Sequence, residues 1–149
     1  MRLNMNCIRD ILLCIENLVT PTKLALFINI DLTNDIDKFL FDDVTNIHQP
    51  LPHQKELLKK YTNEEIIYHL KYCVDANLIE LSNNTTSSEI FVKDLTPNGH
   101  SFIENIRQDT IYNKVLSIAK EKAGSVTLET IIDISTKVIS NNITSFFNS

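Results

Sequence analysis

Apolar positions at 5–17 recur with helical spacing: Met5, Ile8, Ile11, Leu12 and Ile15 form one stripe, and Pro21 marks the end of that helix. Residues 24–30 are a short apolar run that fits a strand better than a buried helix. An acidic stretch at 31–43 follows, then the proline-bracketed His48-Gln49-Pro50-Leu51-Pro52-His53. Together they predict a loop-rich acidic insertion at about 31–56, with a short helix at about 53–60.

Tyr61-Thr62-Asn63-Glu64-Glu65 is a helix start, in which Thr62 is the N-cap and Glu65, three residues on, completes a capping box. The apolar face then runs through Ile66, Ile67, Leu70, Cys73, Val74 and Asn77. Residues 78–81 read as a strand, 82–88 as a polar turn and 89–94 as the returning strand. Helix, strand, polar tip and strand outline a winged helix. Thr96 and Pro97 open the next helix as N-cap and first helical residue. Its apolar face is Phe102, Ile103 and Ile106, and after Asp109 it shifts to Ile111, Val115, Ile118 and Ala119, so that helix bends or packs against two partners. Gly124 breaks it, and a last helix at about 127–147 carries Leu128, Ile131, Ile132, Val138, Ile139, Ile143 and Phe146. The predicted class is α+β, mostly helical: a winged helix-turn-helix core with a two-stranded wing and two extra C-terminal helices. All of it is read as a single domain, 1–149, with the core at about 5–108 and a helical extension at about 109–149.

Composition narrows the function classes. The chain has 149 residues, 43% hydrophobic and 22% charged, which suits an ordinary globular protein. The start lacks the apolar run of a signal peptide, no stretch approaches a membrane span, and the three cysteines, Cys7, Cys14 and Cys73, are odd in number. Free thiols in a cytoplasmic protein are the expectation. The net charge is −5, with Asp31, Asp35, Asp37, Asp42 and Asp43 against Lys38. Positive charge gathers only weakly, at Lys55, Lys59 and Lys60 and again at Arg107, Lys114, Lys120 and Lys122. A protein that holds DNA by its phosphates carries a stronger basic footprint.

Glu64-Glu65-Ile66-Ile67-Tyr68-His69-Leu70 continuing to Ala76-Asn77-Leu78-Ile79, then Leu95-Thr96-Pro97-Asn98-Gly99-His100-Ser101-Phe102-Ile103 and Ile106-Arg107, form an ordered set of segments. Together they resemble a family of short phage- and prophage-encoded proteins of unknown function. The start around Ile8-Arg9-Asp10-Ile11-Leu12 and the stretch Gly124-Ser125-Val126-Thr127-Leu128-Glu129 are similar too. The resemblance implies a winged-helix fold and a mobile-element origin, with no enzymatic activity and no catalytic residues.

Read for chemistry, the chain offers little. His69 and Cys73 share a helix face at metal-ligand spacing, but two ligands do not close a site. His48 and His53 beside the acids define no pocket, and no nucleophile or phosphate-loop motif occurs. No cofactor or metal is therefore expected. Helix 63–77 is the informative element, because the helix before the wing is the one that enters a DNA groove in such folds. Helical projection puts Ile66, Ile67, Leu70, Val74 and Asn77 inwards. Glu65, Tyr68, Tyr72 and Asp75 fall outwards, with Tyr61 just before and Glu64 and Lys71 on one flank. Two carboxylates there oppose phosphate binding, the wing tip at 83–88 has no cation, and tyrosines are what protein interfaces enrich. The first expectation is a non-catalytic protein-interaction module that engages a host or phage regulatory protein through Glu65, Tyr68, Tyr72 and Asp75. The alternative is a dimeric DNA-binding transcription regulator that uses Lys55, Lys59, Lys60 and Lys71. The last helix either folds back on the core or pairs with a second copy in a homodimer, and it carries too few cations to lie on a membrane.

Overall fold

Asn4 caps the first helix, its side chain accepting from the Cys7 N–H at 3.3 Å. This helix, α1 (Met5–Leu18), buries Met5, Cys7, Ile8, Ile11, Leu12 and Ile15. The computed structural model describes residues 1–32, 49–123 and 127–148, with the backbone alone at 122–123 and 142–148. The remaining elements are β1 (Ala25–Ile28), α2 (Pro52–Leu58), α3 (Asn63–Asp75), β2 (Ile79–Leu81), β3 (Glu89–Leu95), α4 (Pro97–Ile106), α5 (Asp109–Ala123) and α6 (Leu128–Asn148). The result is a mostly helical α+β structure around a small antiparallel sheet. The expected acids Asp35, Asp37, Asp42 and Asp43, with Lys38 and His48, lie outside the described residues, as do the break at Gly124 and the side chains of Lys122, Ile143 and Phe146. Among the described residues no helix is long and apolar enough to cross a membrane.

The sheet order is β1-β3-β2, so the last strand in sequence is central. Leu26 pairs with Phe91 and Phe27 with Ile90 on one side. Ile79 pairs with Leu95 on the other, with an irregularity between Glu80 and Leu81. α1 packs against β3, α2, α3 and α4, so its stripe is the floor of the core. Burying each such side chain is worth about 1.5–3 kcal/mol.

The open edge of β1 is closed by side chains. Gln54, buried in α2, accepts from the Ile28 N–H at 3.2 Å and donates to the Ile28 carbonyl at 2.9 Å. Its oxygen also accepts from the Leu51 N–H at 3.3 Å. His53 donates from Nε2 to the Leu26 carbonyl at 2.6 Å and stands edge-on to Phe27. The short helix expected at about 53–60 is α2, and the loop-rich insertion is corrected at its C-terminal end: His53 is not a loop residue but part of that helix, docked on the sheet and held by the backbone groups an edge strand leaves unpaired.

Two further expectations are corrected. Tyr61 is buried, not outward, because its hydroxyl donates to Asp10 at 2.7 Å. Asn77 is exposed, not inward. Its φ of 59° ends α3 in the left-handed turn that asparagine tolerates. The Leu78 carbonyl beyond it accepts from the Thr96 N–H at 3.0 Å, and the Thr96 hydroxyl donates to the Asn77 carbonyl at 2.6 Å while accepting from the Gly99 N–H at 3.0 Å. A Cβ at Gly99 would stand 2.0 Å from the Leu78 carbonyl oxygen, which is why the leucine-threonine-proline-asparagine run must continue with glycine.

The shift of apolar face after Asp109 is a break between two helices. Arg9 donates to the carbonyls of Ile106 and Arg107 at the end of α4. It pairs with Asp109 at 2.9 Å and lies over the Tyr112 ring, 4.6 Å from its centroid. Cations suit a helix C-terminus. α6 folds back on α4 and α5 through buried Leu128, Ile131, Ser135 and Val138, while Ile132 and Ile139 are only half-buried. The small Ser135 is tolerated at that position because its hydroxyl donates to the Ile132 carbonyl at 2.7 Å.

All three cysteines are free, Cys7 and Cys73 buried and Cys14 half-buried. Burial pushes the Cys7 thiol up to about 12, with the Glu65 and Asp10 carboxylates adding to it. Burial alone takes Cys14 to about 11. Between the ordinary thiol value of 9.0 and about 12 the unfolded chain releases the Cys7 proton and the folded one keeps it. Stability present below that window is therefore lost as pH rises through it. Iodoacetamide at mildly alkaline pH should label Cys14 first, and Cys7 and Cys73 only on unfolding. Equal labelling of all three in the native protein would contradict the packing. Gly99→Ala should lower stability by about 2 kcal/mol, the overpacking cost exceeding the roughly 0.5–1 kcal/mol gained from helix propensity. A urea midpoint that is unchanged or raised would contradict the Gly99–Leu78 contact.

Candidate functional site

Helix α3 is positioned by its ends and by one histidine. Thr62 accepts from the Glu65 N–H at 3.1 Å, and the Glu65 carboxylate accepts from the Thr62 N–H at 2.8 Å, the reciprocal pair of a capping box. His69 is fully buried. It donates from Nδ1 to the Glu65 carbonyl at 2.7 Å and accepts on Nε2 from the Asn4 N–H at 2.8 Å. Both ring nitrogens are thus used to tie α3 to the start of α1. Cys73, one turn on, is a buried thiol that burial pushes well above its ordinary range. Among the described residues no group of histidine, cysteine and carboxylate side chains is arranged to hold a metal ion.

The residues singled out for a partner divide into two kinds. Tyr68 and Tyr72 come together, half-buried, with ring centroids 6.1 Å apart and planes tilted by 47°, within the spacing of a favourable aromatic pair. Tyr68 also stands edge-on to His69 at 5.1 Å, so the ridge rests on the same ring that anchors the helix. Asp75 is exposed at the last helical residue. Glu65, by contrast, is engaged by the cap. Glu64 is the exposed acid of the first turn.

The lysines singled out for DNA are dispersed. Lys59 is bound to Glu56 at 2.9 Å and Lys60 lies 3.4 Å from Asp10. Lys60 borders a groove of about 370 Å³ between α1 and α2 with Asp10, Cys14 and Glu56. Lys55 is exposed on α2. Lys71 borders a different groove, of about 440 Å³, with Asn29, Asp31, Glu64, Ile67 and Tyr68. Arg107, part of the other weak basic cluster, is held by Glu16 at 2.6 Å and Glu104 at 2.9 Å, and its guanidinium draws the Glu16 carboxyl below its ordinary value.

The second groove escaped the sequence reading. One wall is fixed by the buried Asn63, whose amide donates to Asn29 and Asp31, both at 3.0 Å. A polar residue at the first position of a helix is usually solvated, so the only signal was an asparagine where the apolar face begins. A smaller notch of about 80 Å³ opens between α3 and the tip of the β2–β3 ribbon, with Leu70, Val74, Leu81 and Ile90 as its apolar walls, Ser87 at its rim, and Lys71 again on its border.

A relative from Haemophilus influenzae, described as an uncharacterized protein, is 29% identical over 82 residues, which are 54% of this chain and 70% of the relative. No solved structure matches the chain. The family described as "Hypothetical protein (DUF2513)" matches residues 2–125, from the start of the chain through α5, and the chain belongs to that family.

Proposed function

We propose that the chain is a non-catalytic winged-helix binding protein of phage or prophage origin, and that it engages a protein partner through the outer face of α3. The winged-helix reading is supported by the sheet order β1-β3-β2 and by the α2–α3 pair placed directly before the β2–β3 ribbon. The mobile-element origin rests on the resemblance of the α3 and Thr96–Gly99 segments. The observation that carries the binding reading is the Tyr68–Tyr72 ridge, set between exposed Glu64 and Asp75 on the helix that would otherwise read DNA. Tyrosine supplies large contact area at low ordering cost, and such residues anchor interfaces.

Electrostatics argues the same way. Lys59, Lys60, Lys93 and Arg107 each lie within ion-pair reach of a carboxylate of this chain. Exposed pairs of this kind are weak individually, but they dilute the field that concentrates a protein on phosphates. Among the described side chains of α6, Ile132, Ile134 and Ile139 are the half-buried apolar ones open to a homodimer, while Leu128, Ile131 and Val138 face this chain's own core.

The double variant Tyr68→Ala, Tyr72→Ala should unfold at a somewhat lower temperature, since both rings are half-buried, but in one cooperative transition, because Ile66, Leu70 and Cys73 hold the inner face. It should weaken binding to a partner captured from the bacterial host by about thirtyfold, the equivalent of about 2 kcal/mol. Reversal of Lys55, Lys59 and Lys60 to glutamate should leave that binding unchanged. The opposite pattern would overturn the reading in favour of a DNA-binding regulator: retention of selected duplex DNA by the wild type, lost on lysine reversal, with no partner that depends on the tyrosines.

A further inference from the structure

The groove at the start of α3 and the notch at its wing end share Lys71 on their borders. They are therefore neighbouring recesses on one flank of the helix, beside the tyrosine ridge, a trough in two parts with Lys71 standing between them. Its two ends differ in chemistry. Asp31 and Glu64, both exposed carboxylates, stand at the first end, and Leu70, Val74, Leu81 and Ile90 form an apolar recess at the second. Asn63 donates to Asp31 at 3.0 Å and so fixes where that carboxylate points. Lys71 places one positive charge between the ends.

We propose that this trough receives an extended peptide segment of the partner, with a lysine or arginine against Asp31 and Glu64 and a single branched apolar side chain in the notch. The proposal rests on the partner-binding reading above and specifies what the partner must carry. Six to ten helical residues separate Glu64 from the notch residues Leu70 and Val74, a span of about 9–15 Å. An extended chain covers that in about three or four residues. Lys71 disfavours a second cation in between and accommodates an acidic or polar residue there. Charge complementarity thus sets one end, shape sets the other, and the spacing between them defines a recognisable motif.

The test is selection of displayed random peptides of about 12 residues on the full chain, followed by anisotropy measurements with the selected peptides. Enrichment of a basic residue three or four positions from Leu, Ile or Val is expected. Glu64→Lys and Val74→Trp should each weaken the selected peptides by about tenfold or more. Ser87→Trp, at the exposed rim, blocks the notch without touching the core and covers the case in which Val74→Trp fails to fold. Peptides without that spacing, no selected peptides, or affinities indifferent to Glu64→Lys and Ser87→Trp would overturn the proposal. If such peptides or a captured partner still depend on Tyr68 and Tyr72, the trough is wrong and the interaction reading stands. Binding of a random duplex pool that is abolished by Lys71→Glu would overturn both.

Discussion

Everything downstream of α3 hangs on one backbone crossing. Asn77 turns the chain out of the helix at a positive φ, and Leu78 then passes directly under the first turn of α4. Thr96 bonds to both residues, donating to the Leu78 carbonyl from its N–H and to the Asn77 carbonyl from its hydroxyl. Gly99 lets the Leu78 carbonyl oxygen approach to where a Cβ would stand only 2.0 Å from it. This crossing ends α3, begins β2 and begins α4 at a single point. The angle between α3 and the β2–β3 ribbon, and with it the notch beside Val74, is set there.

A second constraint works at the opposite side of the sheet. β1 is an edge strand only four residues long, and a strand so short gains little from pairing with β3 alone. Gln54 and His53 supply what a further strand would have offered, by bonding to the outward groups of Ile28 and Leu26. α2 is thereby held against the sheet, and the turn from α2 into α3 is held with it. The α3 face owes its position to backbone contacts at both ends of the helix and to His69 in its middle.

Much of this was legible because it is local. The stripe of α1, the Thr62–Glu65 capping box and the Thr96–Pro97 helix start are patterns within a few residues, and each forms as the pattern requires. What was illegible depends on partners far along the chain. Tyr61 looks like a surface residue until Asp10, 51 positions away, takes its hydroxyl. Gln54 and His53 look like ordinary polar residues of a short helix and its approach until β1 is in place. Asn77 differs for another reason: helical periodicity carries the stripe onto the very residue that stops the helix, at a positive φ. Tyr68 and Tyr72, four apart on one helix, stand side by side, but Glu65 beside them is engaged by the cap, and the flanking acid left exposed in that first turn is Glu64.

If the proposal holds, the acidic, tyrosine-bearing face of α3 meets a protein partner through Tyr68 and Tyr72. Hydroxyl-radical footprinting of the chain, alone and bound to its captured partner, tests this at the side chains concerned. Oxidation of Tyr68 and Tyr72 is expected to fall on binding while that of exposed Met1 and Leu24 stays unchanged. Unaltered oxidation of both tyrosines in a saturated complex would contradict it.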